Sequence, residues 1–489
     1  MHVLSVVSEC APLIKTGGLA DVAGALPGAL ATQGVAMRTL MPAYRGLADR
    51  LAAPRATKLD TPFGPVRLLE GEAAGLELIL IDAPALYDRP GGPYAGPDRA
   101  DWPDNALRFG LLGWMGARIA TQGLRGWRPD AVHAHDWQAG LTPTYLRLAG
   151  PEAPRAVITI HNIAFQGLFG RETLAPLALP EAMFHPDHLE FHGHVGFLKA
   201  GLAHAERITT VSPTYARELL TPAFGYGLDG LLRHRAGALE GVLNGIDADV
   251  WNPATDPDIA RPYRAAAGKR PNRRALATRM GMNPPPDAPL FCVISRMTRQ
   301  KGLDLLLDAM PALLAEGASL AVLGSGDADL EAGFAALAKA HPDRVGCVIG
   351  YDEPLAHQLQ AGADAILVPS RFEPCGLTQL CALRYGTAPV VARTGGLADT
   401  VIDANAAALR VGAATGFVHA PGDAAALTDA IRRACALFRD RDAWRGLVRA
   451  ALRQPVDWGE SAARYADIYR RLAPGAAALP AAAPRQETS

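Results

Sequence analysis

Two cationic residues in one loop could carry the charge chemistry of this sequence. Arg296 and Lys301 lie five positions apart in ISRMTRQKGLDLL, residues 294–306, between an apolar run and a helical pattern. Cations at the carboxyl end of a strand suit a diphosphate, because unpaired N–H groups and the dipole of the following helix also attract anions there. The alternative is that both are ordinary surface charges on a loop.

A carboxylate and a helix start occur together further along the chain. Glu373 and Pro374 form the turn after a predicted strand in PSRFEPCGLTQL. The next helix opens with Gly376, Leu377 and Thr378. A carboxylate can hold sugar hydroxyls, while free N–H groups and a threonine hydroxyl can hold phosphate. Glu373 could instead cap the helix, although Asp, Asn, Ser and Thr are preferred for capping.

The six residues Thr-Gly-Gly-Leu-Ala-Asp occur twice, in KTGGLADV at 15–22 and in RTGGLADT at 393–400. Glycines allow backbone to approach a phosphate closely, since no Cβ intervenes. Lys15 precedes the first turn and can act as a point charge on phosphate. We predict that two domains face each other across a cleft and present one turn each to the same ligand. The alternative is that both turns are plain strand-to-helix connections.

Two series of short apolar runs must position these residues. The runs lie at 2–8, 76–82, 131–136, 155–162 and 207–212, and then at 290–295, 319–326, 345–351, 365–370 and 388–392. Apolar strands that alternate with helical stretches predict parallel sheets covered on both faces. Two such series predict an α/β protein with two doubly wound domains.

The predicted boundary between these domains is near residue 250, in a stretch rich in Asn, Asp and Pro. The prediction is an N-terminal domain at 1–250, a C-terminal domain at 251–456 and a helix at 457–472. The Ala- and Pro-rich remainder, 473–489, is predicted to be a loose tail without a function.

Composition excludes several classes of protein. The 489 residues include 48 Lys and Arg and 49 Asp and Glu, and a net charge of −1 argues against a nucleic-acid or membrane-surface protein. No run reaches the roughly 18–20 apolar residues of a membrane span, and MHVLSVVSEC is predicted to be a buried strand and not a signal peptide. The six cysteines are scattered without a CxxC pair, which predicts reduced thiols in a cytoplasmic protein.

Two further motifs are better explained by structure than by a cofactor or metal. The string LGSGDADLE at 323–331 has Asp329 where a dinucleotide fingerprint needs its third glycine. The string HAHD resembles a metal cluster by composition. Alternate residues of a strand share a face, however, so His133 and His135 point one way and Asp136 the other. We predict an ordinary strand end from which Asp136 emerges.

Seven motifs in order carry a resemblance to the bacterial glycogen synthase and plant starch synthase family. They are KTGGLADVAGALP, HAHDWQAGL, TIHNIAFQG, VLNGIDADVWNP, SRMTRQKGLDLL, PSRFEPCGLTQL and RTGGLADTV, and the match runs in order from residue 1 to about 472. The resemblance implies a GT-B architecture of two Rossmann-like domains facing across a deep cleft. It further implies that glucose is transferred from ADP-glucose to the non-reducing 4-hydroxyl of an α-1,4-glucan such as glycogen. Configuration would be retained, without a metal or cofactor.

The same resemblance implies roles for individual residues. The N-terminal domain would lie on the acceptor side and the C-terminal domain on the nucleotide-sugar side, with the last helix packing back on the N-terminal domain. The implied catalytic residues are Glu373 on the donor glucose, Arg296 and Lys301 on the leaving diphosphate, and His161 on a sugar hydroxyl. The implied nucleotide-sugar contacts are Lys15, Gly18, Cys375, Gly376, Leu377, Thr378 and, stacked on adenine, Tyr351. The implied cleft-lining residues are Asp21, Asp136, Asn244, Thr394, Gly395, Gly396 and Leu397.

One departure from related transferases bears on the mechanism. Many of them carry a second glutamate eight positions after the first, where this sequence has Cys381. No evident carboxylate nucleophile remains, and Cys375 has no histidine next to it in sequence. We therefore expect a front-face displacement assisted by the leaving phosphate. The alternatives are a phosphorylase, which would need a pyridoxal phosphate lysine, and a non-catalytic glucan-binding scaffold.

Overall fold

The structure is a computed structural model that describes residues 1–473. It contains two large β-sheets. Within the described residues, the N-terminal unit consists of Met1–Thr210, Leu219–Val242 and residues 459–473. The C-terminal unit consists of Val211–Glu218 and Leu243–Trp458. The predicted boundary at residue 250 therefore lies inside the C-terminal unit. A single boundary in the sequence also cannot account for Val211–Glu218. This segment belongs to the C-terminal unit, whereas the residues before and after it belong to the N-terminal unit. Apart from Ala473, the predicted tail lies outside the described residues.

The strands follow the two predicted series and add several that the sequence patterns did not reveal. In chain order they are β1 (His2–Val6), β2 (Ala36–Pro42), β3 (Ala52–Thr61), β4 (Gly64–Ala73), β5 (Leu76–Asp82), β6 (Ala131–His135), β7 (Ala156–Ile160), β8 (Leu168–Phe169), β9 (Glu190–Phe191), β10 (His194–Gly196), β11 (Arg207–Thr210), β12 (Leu239–Gly241), β13 (Leu290–Ile294), β14 (Ser319–Gly324), β15 (Val345–Ile349), β16 (Ala365–Val368), β17 (Ala388–Ala392) and β18 (Phe417–His419).

The N-terminal sheet has nine strands in the order β12-β11-β7-β6-β1-β2-β5-β4-β3. It is parallel from β12 to β5, whereas β4 pairs antiparallel with both β5 and β3. The prediction of a parallel sheet did not include this edge hairpin, because β3 is exposed or half-exposed along its whole length and lacks an apolar run. Strands β8, β10 and β9 form a small separate antiparallel sheet.

The C-terminal sheet has six parallel strands in the order β15-β14-β13-β16-β17-β18. The chain starts at β13, builds outward to β15, and then returns to the other side of β13 with β16. Ligands of doubly wound sheets bind outside the carboxyl ends of the strands where this reversal occurs. The reversal between β13 and β16 therefore points to the loops that follow these two strands.

Helices cover both sheets. In chain order they are α1 (Gly18–Ala31), α2 (Pro84–Tyr87), α3 (Asn105–Gln122), α4 (Thr142–Ala149), α5 (Phe197–His204), α6 (Pro213–Glu218), α7 (Asp229–His234), α8 (Lys269–Arg279), α9 (Leu303–Ala315), α10 (Ala328–Ala340), α11 (Glu353–Gly362), α12 (Thr378–Tyr385), α13 (Gly395–Thr400), α14 (Ala406–Val411), α15 (Ala424–Arg439), α16 (Arg441–Leu452) and α17 (Gly459–Leu472). None of the helices within residues 1–473 has the length and apolar character needed to cross a membrane.

The last helix, α17, belongs to the N-terminal unit and begins at Gly459, two residues after the predicted start. The hydroxyl of Tyr469 lies 2.7 Å from Nδ1 of His133 on β6. The guanidinium of Arg470 donates to the carbonyl of Gln33, just after α1, at 2.8 Å. Buried tyrosines on one face of the helix and a backbone contact near α1 together hold α17 on this unit.

Candidate active site

The loops after β13 and β16 meet at the reversal of the C-terminal sheet. Nζ of Lys301 lies 2.6 Å from Oε2 of Glu373, and the hydroxyl of Ser370 donates to the same oxygen at 2.9 Å. The side chains of Lys301 and Glu373 are 19% and 8% exposed. The sequence predicted each residue at a strand end, and the parallel sheet brings the two ends together. Their charges form a partly sheltered pair at the place where a ligand of this fold binds.

A frame of further contacts holds these two loops to each other. The guanidinium of Arg371 donates to both carboxylate oxygens of Asp304, at 2.7 and 2.8 Å, and thereby lowers the pKa of that carboxyl. Gly302 has a φ of +70°, and a Cβ there would lie 2.0 Å from the carbonyl oxygen of Pro369. The two loops are therefore in backbone contact, and glycine is required at this position.

The glutamate loop, defined here as residues 369–377, has backbone carbonyls that accept hydrogen bonds from Gly396 and Gln379. The N–H of Gly396 donates to the carbonyls of residues 373 and 374, at 3.2 and 3.1 Å. The side-chain amide of Gln379 donates to those of residues 375 and 376, at 3.0 and 2.8 Å. Because C=O and N–H of a trans peptide point in opposite directions, the N–H groups of residues 375–377 face away from these supports. They donate no hydrogen bond within residues 1–473.

Three other predicted residues of this unit lie at strand ends or a helix start. Arg296 is exposed in the same loop as Lys301, and its guanidinium has no ion pair or hydrogen bond with the described residues. Thr378 is half-buried at the first position of α12. Tyr351 follows the edge strand β15, is 81% exposed, and bonds through its hydroxyl to the carboxylate of Glu353. Thr378 directly follows the glutamate loop, and Arg296 lies in the same loop as Lys301. The roles of all three residues stay predictions.

Cys375 and Asn244 are neighbours within the C-terminal unit. Burial raises the pKa of the Cys375 thiol to about 12, although the backbone of Asn244 hydrogen-bonds to it. Such a thiol stays protonated at neutral pH and is a poor nucleophile. The side-chain oxygen of Asn244 is buried without a hydrogen-bond partner among residues 1–473. Cys375 is therefore suited to the predicted backbone role.

The second turn, residues 394–399, lies underneath the glutamate loop. Thr394, Gly395, Gly396 and Leu397 are all buried. A Cβ on Gly395 would lie 1.9 Å from the carbonyl oxygen of Glu373, and one on Gly396 would lie 2.3 Å from that of Cys375. Gly395 also has a φ of +43°. These glycines let two stretches of backbone touch, so they shape the loop that carries Glu373. Their predicted lining of a cleft stays a prediction.

The first turn, residues 16–21, lies in the N-terminal unit and has open space around it. A Cβ on Gly17 would meet no atom within 4 Å, and Gly18 is exposed. Nζ of Lys15 lies 2.8 Å from Oδ1 of Asp21, and both side chains are partly exposed. Burial raises the pKa of Asp21, an effect that the nearby ammonium opposes. The predicted pair of Lys15 and Gly18 is thus accessible to a ligand.

Glu9 anchors the first turn and was missed by the sequence interpretation. It is 3% exposed, and its carboxylate accepts hydrogen bonds from the backbone N–H and, at 2.7 Å, the hydroxyl of Thr16. Burial raises its pKa. The signal was a single acidic residue directly after the apolar run of β1, where a buried charge needs partners.

His161 and Asp136 also lie together in the N-terminal unit. The carboxylate of Asp136 accepts from the backbone N–H of His161 at 2.7 Å and from that of Asn162. Burial raises the pKa of Asp136 to about 7 and lowers that of His161 to about 3. The imidazole of His161 is therefore neutral at pH 7, with Nε2 lying 3.0 Å from Nδ1 of His135. Asp136 is only 8% exposed, and its carboxylate holds the backbone of His161. Its predicted place along a cleft stays a prediction.

A different polar group has the spacing expected of metal ligands. Within residues 1–473 the group with that geometry is Asp256, Asp258 and His357. The Asp256 carboxylate already accepts from Tyr385 and lies 2.8 Å from Nδ1 of His357, whose ring stacks on Trp251 at 3.9 Å. These contacts describe a hydrogen-bonded support beneath α12. The HAHD residues do not form such a group in the described chain.

Comparison with protein families gives two matches that together span most of the chain. Residues 2–234 match the family described as the starch synthase catalytic domain. Residues 278–445 match the family described as glycosyl transferases group 1.

Individual proteins and solved structures give the same result. The chain is 56% identical to a glycogen synthase of Roseobacter denitrificans, covering 97% of this chain and 100% of the relative. It is 55% identical to a glycogen synthase of Rhodopseudomonas palustris, covering 96% and 99%. The catalytic domain of starch synthase IV from Arabidopsis thaliana, solved with ADP and acarbose, is 31% identical, with a TM-score of 0.86 and coverage of 96% and 99%. A sucrose-phosphate synthase from Thermosynechococcus elongatus, 19% identical with a TM-score of 0.58 and coverage of 96% and 98%, shares the fold.

Proposed function

Because this chain belongs to the glycogen synthase and starch synthase family of GT-B glycosyltransferases, we propose that it transfers glucose from ADP-glucose to the non-reducing 4-hydroxyl of glycogen. The relatives named glycogen synthase support glycogen as the acceptor. The ADP held by the related starch synthase supports an adenine nucleotide in the donor. Retention of configuration is part of this proposal.

The observation that carries the proposal is the pair of Lys301 and Glu373 at the sheet reversal. A lysine and a glutamate there match the two halves of a nucleotide sugar. Lys301, with Arg296 beside it in the loop, neutralises the charge that grows on the departing diphosphate. Glu373 accepts hydrogen bonds from hydroxyls of the donor glucose. When the donor binds, Glu373 exchanges part of its contact with Lys301 for these hydroxyls.

The outward N–H groups of residues 375–377 and the start of α12 add neutral support for the diphosphate. Unpaired N–H groups at a helix N-terminus bind anions without a counter-charge. In the proposal, Thr378 begins this helix and Tyr351 stacks on adenine. The C-terminal unit is thus assigned the nucleotide sugar.

The N-terminal unit is assigned the acceptor side and a share of the donor phosphates. Lys15 and Gly18 lie on the accessible first turn and are proposed to contact the phosphates. His161 is proposed to hydrogen-bond a sugar hydroxyl as a neutral imidazole, since burial keeps its pKa at about 3. Nε2 of this ring faces His135, which leaves Nδ1 for the sugar. Asp136 holds His161 in place through its backbone N–H.

The mechanism proposed for the transfer is a front-face displacement. The bond between the anomeric carbon and the diphosphate oxygen breaks, and the oxygen of the acceptor hydroxyl bonds to that carbon from the same face of the sugar. The proton of this hydroxyl passes to the departing phosphate. The position eight residues after Glu373 is Cys381, a buried residue on α12, and it offers no carboxylate for a covalent intermediate. We also assign the enzyme to the cytoplasm, where its six scattered cysteines would stay reduced.

Incorporation of labelled glucose into glycogen tests the proposal. The protein is incubated with glycogen and with ADP-glucose or UDP-glucose labelled in the sugar. We expect label from ADP-glucose and a loss of at least about 100-fold in Glu373→Gln. Glu316→Gln is the matched control, because Glu316 pairs with Arg439 on the surface of the same unit. No incorporation from either donor, or equal activity of both variants, would contradict the assignment.

A further inference from the structure

The segment Val211–Glu218 belongs to the C-terminal unit, although strand β11 before it and the chain after it belong to the N-terminal unit. Its residues are therefore distant in sequence from the glutamate loop but lie next to it in the structure. Sequence motifs of the loop itself, residues 369–377, give no indication of this neighbour. The contacts that the segment makes within the C-terminal unit indicate what it does there.

Ser212 contacts the backbone of the glutamate loop directly. Its hydroxyl donates to the carbonyl of Pro374 at 2.8 Å, and the side chain is fully buried. The N–H of Tyr215 donates to the same hydroxyl oxygen at 3.1 Å, which orients its proton toward Pro374. The carbonyl of Pro374 also accepts from the N–H of Gly396 at 3.1 Å. Both lone pairs of this carbonyl are therefore occupied by buried donors.

Two further contacts make the segment a firm support for Ser212. The backbone N–H and the hydroxyl of Thr214 each donate to the carboxylate of Asp399 at 2.7 Å. The ring of Tyr215 packs edge-on against the ring of Phe372, with centroids 5.3 Å apart. The segment thus contacts the loop on one side and the second turn on the other.

We propose that Ser212 is a positioning residue for the transferred glucose, acting through the carbonyl of Pro374 on the adjacent Glu373. This inference rests on the proposed function. The hydroxyl fixes the peptide between Pro374 and Cys375. Pro374 is bonded directly to Glu373, so this contact limits the backbone movement open to Glu373, whose carboxylate is held by Lys301 and Ser370.

The peptide that Ser212 holds also carries the N–H of Cys375, whereas the N–H groups of residues 376 and 377 lie on the peptides that Gln379 holds. Because two of the three N–H groups keep their support, loss of the Ser212 hydroxyl should disturb the glucose more than the nucleotide.

The test compares Ser212→Ala with Ser319→Ala in the full-length protein. Ser319 is an equally buried serine at the start of β14, at the amino end of the C-terminal sheet. Its hydroxyl accepts a hydrogen bond from Nε of Arg344 at 3.0 Å. The kcat and KM for ADP-glucose and the Kd for ADP are measured for both variants. Ser212→Cys is a second variant of similar volume with a weaker donor.

We expect kcat of Ser212→Ala to fall about five- to tenfold, the effect of one misplaced hydrogen bond. The Kd for ADP should change less than twofold, and Ser212→Cys should show a smaller fall in kcat. Ser319→Ala should change neither quantity more than twofold. The inference is overturned if kcat of Ser212→Ala stays within twofold, if both alanine variants lose activity equally, or if ADP binding weakens in step with kcat. Failure of the unmodified protein to use ADP-glucose would instead overturn the proposed function, and the inference with it.

Discussion

The two Thr-Gly-Gly-Leu-Ala-Asp turns have the same sequence and opposite surroundings. Each opens a helix, and each has its threonine bound by the carboxylate of a glutamate, Glu9 in the first turn and Glu218 in the second. In the first turn the glycines are accessible and Gly17 has no neighbour in the direction of a Cβ. In the second turn the glycines are buried against the carbonyls of the glutamate loop. A glycine motif therefore allows another group to approach the backbone closely, and the residues around the motif determine which group this is.

We infer that the two turns have different roles. Backbone from the same unit occupies the space beside the second turn, so its glycines serve the placement of Glu373. The space beside the first turn is open, and the proposed occupant is a phosphate of the donor. Glycine substitutions should therefore affect stability in the second turn and activity in the first.

The largest effect is expected for Gly396→Ala. Its Cβ would lie 2.3 Å from the carbonyl oxygen and 2.6 Å from the Cα of Cys375, and backbone cannot yield as a flexible side chain can. We expect a loss of about 3 kcal/mol in the free energy of unfolding, at the upper end for overpacking. Urea denaturation measures this loss. A variant as stable as the wild type would show that the second turn does not support the glutamate loop.

The basic residues before the two turns offer the next test. Lys15→Ala should lower kcat/KM for ADP-glucose about 100-fold, the scale for one preorganised charge on a transition state. Arg393→Ala is the matched control, because Arg393 precedes the second turn and is exposed. Its activity should stay within about twofold of the wild type. Steady-state kinetics with glycogen as acceptor would refute the assignment if the two variants lost activity equally.

Gly17→Ala should separate activity from stability. Gly17 has an extended backbone with a φ of −158°, which alanine also adopts, and its Cβ would meet no atom. We expect the free energy of unfolding to change by no more than about 0.5 kcal/mol. A methyl group facing a bound phosphate should lower kcat/KM about tenfold. Unchanged kinetics would mean that no ligand approaches this turn.

The smallest effect is expected for Glu9 and Glu218, the glutamates that bind the threonine of each turn. Burial raises the pKa of Glu9 and of Glu218, so the folded protein retains these protons to higher pH than the unfolded chain does. Stability should therefore fall as pH rises from about 4.3, the ordinary pKa of glutamate, toward the raised values. Glutamine removes this dependence. Glu9→Gln and Glu218→Gln should each gain stability relative to the wild type as pH rises through this range. A relative loss would indicate lowered pKa values.

The sequence predicted the parts of the site that a parallel sheet assembles by itself. Lys301 and Glu373 follow apolar runs, and the carboxyl ends of neighbouring parallel strands lie at one edge. Their contact at 2.6 Å was not itself predicted, because it depends on the pairing of β13 with β16, which the strand assignment left open. The start of α12 at Thr378 and the helix ending at residue 472 were predicted for similar local reasons.

The supports of the site could not be predicted in this way. Gln379 lies inside a helical pattern, and nothing local shows that its amide turns back to the carbonyls of the glutamate loop. Ser212 and Pro374 are separated by 162 positions, and their contact depends on a segment that joins the other unit of the chain. The hairpin of β3 and β4 was missed because its outer strand is exposed and lacks apolar alternation. Tertiary contacts between polar groups decide such features.

A crystal structure of the protein soaked with ADP-glucose tests the central claim most directly. We predict the diphosphate within hydrogen-bonding distance of Arg296, Lys301 and the N–H groups of residues 375–377, with the Glu373 carboxylate on glucose hydroxyls. The second turn should keep its contacts with the glutamate loop unchanged. A diphosphate bound away from Arg296 and Lys301, with Glu373 still paired to Lys301 and free of the sugar, would contradict the account.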